Sequence, residues 1–416
     1  MKTIYTKAIA LVITLLGCLT VSAHDFEVNG VYYNIVSNSD RTAAVTFQVS
    51  ESGHSGYEGV VTIPETVEFH GTKYTVTTIG LNAFSVCRGL KSVIMPNTIT
   101  NISSNAFLKC SGLTTVTIPY SVVTIGSDAF ADCFNIDSIA VDVRNRYYES
   151  RGGCNAIIRK SDNTLVLGCK RTVIPAHVKT IGYGAFHGAL NVRTITIPNN
   201  VEVIDNFAFD GCSILESIYI PASIKKIGLK AFGRCSRLGT ITVDAANAVY
   251  DSRNNCNAII EKATGTLIVG CKNTIIPDGI TAIGERAFEG HSHLSAIDIP
   301  ASVQAIGHDG FYDCFDLKEI TLHNATPVKI DNFTFSGVPT SAVVHVPAGA
   351  VETYKANRKW NTFFPNIIAI GEKFVEKKPE PVVTEEEEEV VDATTSASAK
   401  KSTPAKKKTV RKTTKK

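Results

Sequence analysis

Eleven cysteines are the first residues in this 416-residue chain with chemistry to offer. Six of them, Cys87, Cys110, Cys133, Cys212, Cys235 and Cys314, follow a phenylalanine by three positions, in phrases such as SDAFADC and KAFGRC. Metal or redox chemistry needs several sulfurs converging on one point, whereas a repeated phrase lays equivalent residues out in a row. Free cysteine also packs as a small hydrophobe. Ala189 and His291 hold the same place in two further copies of the phrase, which a strict cross-linking scheme would not accommodate. The six therefore read as a buried structural rung.

Four other cysteines behave differently. Cys154 and Cys169 are symmetric about position 161.5, the centre of an expected hairpin turn at Ser161 and Asp162, and Cys256 and Cys271 are symmetric about 263.5. An even-length loop sets each pair directly opposite across two antiparallel strands. Export of the chain would permit oxidation. Two disulfides, Cys154 with Cys169 and Cys256 with Cys271, are the expectation, the alternative being four more buried thiols. His291 and His293 in GHSHL are spaced to share a metal, but two histidines without further ligands fit a polar loop better. The chain carries no H-E-x-x-H, G-x-S-x-G, Walker or C-x-x-C pattern. No catalytic residue, cofactor or metal site is expected, and the chain reads as a non-enzyme.

The ends of the chain are unlike its body. Lys2 and Lys7 precede an apolar run over residues 8–19 and then Val21-Ser22-Ala23, the pattern of a signal peptide cleaved before His24. Leu15-Leu16-Gly17-Cys18 also reads as a lipoprotein signal, although the apolar residues after Cys18 fit a continuing signal segment better. After signal removal no membrane span is expected. Residues 24–371 carry 28 basic and 30 acidic residues, nearly neutral, whereas residues 372–416 carry 12 and 9. That tail has an acidic run at 385–389 and then nine Lys or Arg over 400–416, with no apolar period, so it reads as disordered and solvated. Lys406, Lys407, Lys408, Arg411 and Lys412 are candidates for binding polyanions such as nucleic acid, lipopolysaccharide phosphate or anionic glycan.

Periodicity organises everything between the ends. Phe84, Phe107, Phe130, Phe186, Phe209, Phe232, Phe288 and Phe311 are separated by 23, 23, 56, 23, 23, 56 and 23 residues. Whole blocks recur at 102: YESRGGCNAIIRKSDNTLVLGCKRTVIP returns as YDSRNNCNAIIEKATGTLIVGCKNTIIP. Each unit reads L-x-x-I-x-I-P-x-x-V-x-x-I-G-x-x-A-F-x-x-C, as in LTTVTIPYSVVTIGSDAFADC. Val116 and Ile118 alternate about Thr117, a half-buried strand, and Pro119 ends it because proline cannot donate to a ladder. Gly80, Gly126, Gly182, Gly228, Gly284 and Gly307 follow the next isoleucine, with Ser103 and Asp205 in two units. A tight turn with unusual backbone angles is the expected reason.

A unit this short cannot bury its own apolar face, so units must stack into a solenoid with one parallel strand per coil and short helical turns, over eight or more coils. The organisation expected is a signal peptide at 1–23, an N-terminal β cap at 24–75 and a solenoid at 76–338 with two 33-residue inserts near 143–175 and 245–277. A C-terminal cap at 339–371, carrying the single tryptophan, Trp360, and the tail at 372–416 complete it.

The repeat phrase, the FEVNGVYYNI entry and the VPAGAVETYKANRKW exit together resemble the BspA-like bacterial surface-antigen leucine-rich-repeat family over residues 26–371. That resemblance implies a right-handed leucine-rich-repeat solenoid, display at the cell surface or in the outer envelope or secretion, and adhesion to host or microbial surface proteins or glycans. The lysine-rich tail departs from the family pattern and takes no function from it. On the strand face, Thr117, Thr196, Tyr219, Thr242 and Asp298 point outward and are candidate ligand contacts, Tyr219 foremost because an exposed aromatic offers area at low entropy cost. Threonine is also simply a good strand former. The competing function is an envelope-associated display protein held to anionic polymers by its tail.

Overall fold

The computed structural model describes residues 24–47 and 56–375. The signal segment with Cys18, and the tail with Lys406, Lys407, Lys408, Arg411 and Lys412, lie outside the described residues. The chain divides into two units, Met1–Phe374 and Val375–Lys416, and the repeats with both of their caps belong to the first.

Alternation of apolar and polar residues makes one side of each coil a strand. In Thr115–Ile118, Val116 and Ile118 are buried while Thr115 and Thr117 are exposed. Ser138–Val141 lies beside it in parallel, with Ser138 opposite Thr115 and Val141 opposite Ile118. Past the proline a second, two-residue strand forms the next side: Thr124–Ile125 pairs in parallel with Asn101–Ile102. The A-F phrase then makes a corner whose backbone bonds directly to the following coil, Phe107 N–H donating to the Ala129 carbonyl at 2.7 Å. Backbone groups are thereby met from coil to coil on every side, which a structure built of such short segments requires. The solenoid anticipated from the periodicity is the architecture found.

The core is a column of stacked rings. Phe84, Phe107 and Phe130 lie 5.1 and 5.0 Å apart and within 5° of parallel. Phe186, Phe209 and Phe232 repeat the arrangement at 5.1 and 5.2 Å, and Phe288, Phe311 and Phe335 at 4.8 and 5.2 Å. Each ring is buried, so truncating one to alanine costs about 3 to 5 kcal/mol.

The corner glycines serve a different purpose from the one expected. None of Gly80, Gly126, Gly182, Gly228, Gly284 and Gly307 has a left-handed backbone; that conformation falls two residues later, at Asn82, Asp128, Gly184, Lys230, Arg286 and Asp309. What requires glycine is proximity. A Cβ on Gly126 would stand 2.4 Å from Ser104 N, and one on Gly228 2.3 Å from Asn206 N, both on the preceding coil. The two corners without glycine, Ser103 and Asp205, each lie between glycine corners, Gly80 and Gly126 for one and Gly182 and Gly228 for the other. No two neighbouring corners within these triplets both carry a Cβ.

Each insert is a hairpin that replaces a corner. Ile157–Arg159 pairs antiparallel with Thr164–Leu167, and the latter pairs in parallel with Thr180–Ile181, taking the short-strand place of a missing coil. Ile259–Glu261 and Thr266–Val269 do the same against Ala282–Ile283. Gly168 and Gly270 lie flat under the next phenylalanine; a Cβ there would come within 2.2 Å of the Phe186 ring and 2.0 Å of the Phe288 ring. The inserts also break the outer strand ladder. Ser217–Ile220 pairs with Thr240–Val243, and Ala296–Ile299 begins a separate four-strand sheet. Residues 194–197 form no strand, so Thr196 is exposed on irregular backbone.

Both ends of the apolar column are covered. Phe26–Val28 and Val31–Ser37 form a hairpin whose turn residues Asn29 and Gly30 have φ of 53° and 79°, as a tight hairpin turn demands. At the far end Trp360 is fully buried on helix Arg358–Phe363, its Nε1 donating to the Val328 carbonyl at 2.9 Å, with Phe335 and Tyr354 each 5.4 Å away. Among the described residues no helix is long and apolar enough to cross a membrane.

Gly228→Ala should lower stability by about 1 to 3 kcal/mol in urea or thermal unfolding, because backbone must move to admit the methyl. Gly349→Ala, where nothing lies within 4 Å, should change it by less than about 0.5 kcal/mol.

Candidate binding surfaces

The strand face gathers the outward residues into columns. Thr117 stands beside Ala140, Tyr219 beside Thr242, and Asp298 beside Thr321, which stands beside His345. Thr117, Thr196, Tyr219, Thr242 and Asp298 are all exposed. Two carry local partners: Tyr219 Oη donates to Asp244 Oδ2 at 2.5 Å, and His323 Nε2 meets Asp298 Oδ1 at 2.7 Å. The bond to Asp244 raises the Tyr219 phenol and lowers the Asp244 carboxyl from their ordinary values.

The same column holds residues that sequence reasoning passed over. Val173 and Ile275, in the inserts, sit 23 positions before Thr196 and Asp298 and are 69% and 72% exposed. A usable signal was present, since Pro175 and Pro277 follow them by two just as Pro119 follows Thr117. Val173 and Ile275 therefore hold the same place in the coil as Ile94, Thr117, Thr196, Tyr219, Thr242 and Asp298. Beside Ile275, a cleft of about 560 Å³ runs past Asp298 and His323.

The corner edge is charged rather than apolar. Asp210, fully buried, accepts two bonds from the Arg234 guanidinium at 2.5 and 3.1 Å. Lys230 Nζ reaches Glu289 at 2.6 Å across the second insert, and Arg286 joins Glu289 at 2.8 Å and Asp309 at 2.7 Å. Removing one member would leave a buried charge alone, so this ribbon clamps the coils on either side of the insert.

A family model for the BspA-type leucine-rich-repeat region matches in six copies over residues 65–151, 167–264 and 268–358, more than half of the chain. The chain belongs to the BspA-type leucine-rich-repeat family. A leucine-rich cell surface protein of Faecalibacterium prausnitzii is 25% identical, with 84% of this chain and 95% of that one aligned at a TM-score of 0.49. A leucine-rich repeat protein of Bacteroides ovatus is 24% identical over 83% and 100% at 0.37, and the pneumococcal vaccine antigen PcpA is 15% identical over 85% and 100% at 0.34. All three scores fall below 0.5, so membership rests on the repeat model. No curated protein matches the chain in sequence.

In this BspA-type coil the rung cysteines have a specific task. Cys110 Sγ donates to the Phe84 carbonyl at 2.9 Å, Cys133 to Phe107 at 2.9 Å, Cys212 to Phe186 and Cys235 to Phe209 at 3.2 Å, and Cys314 to Phe288 at 3.1 Å. Each thiol thus ties its corner to the coil before it. Burial pushes the Cys212, Cys235 and Cys314 thiols well up, which makes them poor nucleophiles.

The insert cysteines do not form the expected disulfides. Cys154, Cys169, Cys256 and Cys271 are buried free thiols. A register shift between Ile157 and Ile158, and again between Ile259 and Ile260, cancels the symmetric pairing beyond it. The strands stop there, a 3-10 turn at Arg151–Gly153 leads into Cys154, and Cys169 Sγ accepts from Asn155 Nδ2 at 3.0 Å. His291 and His293 are likewise separated, one buried in the cysteine rung and the other exposed. Among the described residues no group of three metal-ligating side chains occurs.

His291 Nδ1 is buried without a hydrogen-bond partner, and burial lowers the imidazole from 6.5 to about 4. Between those values the unfolded chain binds the proton and the folded one does not, so stability present above pH 6.5 is lost as pH falls toward 4. Denaturant unfolding should show wild type losing about 2 to 3 kcal/mol more than His291→Cys between pH 7 and pH 4.5. Parallel losses would contradict this.

Proposed function

We propose that this chain is exported to the cell surface and binds an extended protein partner along its strand face. Support for export comes from the basic, apolar and small-residue order of residues 1–23 and from the surface-antigen family to which the repeats belong. Support for the strand face comes from one observation: Ile94, Val173, Tyr219 and Ile275, all exposed, hold the same outward place in the coil as Thr117, Thr196, Thr242 and Asp298. Isolated exposed apolar residues are ordinary, but several at one repeat position on one face are what an elongated partner can engage repeatedly. The intervening Thr196 and Thr242 hydroxyls and the Asp298 carboxylate supply hydrogen bonds between those contacts.

An array of extracellular-matrix proteins and glycans, probed with wild type and with V173T/Y219T/I275T, tests the reading. Threonine is the common residue of the column, so the variant keeps its fold. At least one matrix protein should bind wild type and bind the variant tenfold or more weakly. Equal binding of every ligand by both proteins would sink the strand-face assignment.

A further inference from the structure

Each of the two inserts leaves a gap in the corner ladder, and only one of the gaps is spanned by an ion pair between the facing side chains. In a regular stack, Asn105, Phe107 and Lys109 donate their amides to the carbonyls of Ser127, Ala129 and Ala131 one coil on. From the next corner only Asp132 finds its acceptor, the His187 carbonyl at 3.1 Å, beyond the hairpin. The amides of Asp128 and Phe130 have no acceptor and the Tyr183 carbonyl has no donor among the described residues. All three residues line a cavity of about 360 Å³ whose floor is the hairpin with Arg159, Asp162 and Thr164.

Two buried side-chain atoms there are also unmet. Asp128 Oδ1 and His187 Nδ1 are buried, face each other at 3.7 Å, and neither atom makes a hydrogen bond. Asp162 is paired with the Arg159 guanidinium at 2.7 Å, which leaves Asp128, bonded by the Tyr183 side chain, and Asp205, which accepts from the Asn206 amide at 2.8 Å, as carboxylates on the lining without a lysine or arginine partner. The duplicated block supplies an internal comparison. One block later Asp128 becomes Lys230, His187 becomes Glu289 and Asp205 becomes Gly307, and the facing pair closes as an ion pair at 2.6 Å. The second gap carries a lysine that meets its facing carboxylate, whereas the Arg159 guanidinium on the lining of the first is held by Asp162.

We propose that the first gap is a binding site for a short extended peptide segment bearing a lysine or arginine side chain. Its carbonyls accept from the Asp128 and Phe130 amides and its amide donates to the Tyr183 carbonyl, restoring the interrupted ladder as strand addition does. The cationic group meets Asp128 and Asp205, while the half-exposed Tyr183 ring covers the aliphatic stem. A neutral sugar would engage the same backbone groups and leave both carboxylates unpaired. The site lies on the corner edge and stands whether or not the strand face binds a partner.

The test is saturation-transfer NMR on the full chain with three probes: acetyl-Gly-Arg-Gly-amide, acetyl-Gly-Glu-Gly-amide and methyl glucoside. The arginine peptide should give transfer at low salt that falls at least tenfold in D128K/H187E, a variant given the pair the second gap already folds around. Equal transfer to wild type and variant, equal transfer from the glutamate peptide, or glucoside transfer that the arginine peptide does not displace would each overturn the assignment.

Discussion

Where two successive corners pass, the backbone of one lies so near that of the next that a single Cβ does not fit between Gly126 and Ser104 N or between Gly228 and Asn206 N. This proximity sets the rise of the stack. It brings phenylalanine rings to parallel contact at about 5 Å, places each rung thiol within reach of the carbonyl one coil back, and lets corner amides bond across. Dispersion between stacked rings is small for each atom pair and large over the column. A unit of this length holds no core alone, so the contacts between units are the structure.

The inserts show what happens when that contact is interrupted. Each removes one corner and substitutes a hairpin, with glycine beneath the next ring so that the column can resume. Backbone groups that would have paired are left facing a gap, and the outer ladder divides into separate sheets. Insertion therefore creates surface that a regular repeat lacks: apolar residues on the strand face, and polar groups on the corner edge whose charges differ between the two copies. Duplication of a 102-residue block preserved the shape of both gaps while the side chains facing them changed sign.

The solenoid, its period and its aromatic column were legible because repetition writes one contact many times, and Phe84 through Phe311 carry it openly. Gly126 was legible as a necessary glycine and illegible as to why, since its reason lies on the coil before it and not in its own φ. The pairing of Cys154 with Cys169 looked sound on symmetry and failed on one bulged residue, Val166, opposite Ile157 and Ile158, which no alternation in that segment announces. Val173 and Ile275 were hidden because the inserts were read apart from the coil frame, although Pro175 and Pro277 keep that frame. The open gap at Asp128 was beyond the sequence entirely, being formed by a corner that is absent.

If contact between identical coils is what stabilises this chain, its length is adjustable only in whole coils. Excising residues 187–209 removes one period and joins Phe186 to Asp210, so that Phe186 inherits the place of Phe209 between neighbours. Cooperative thermal unfolding monitored by circular dichroism should persist in that protein at a somewhat lower midpoint. Excising residues 187–208, one fewer, puts every later ring, glycine and thiol out of step and should abolish the cooperative transition. The same melting behaviour for the two excisions would contradict the account.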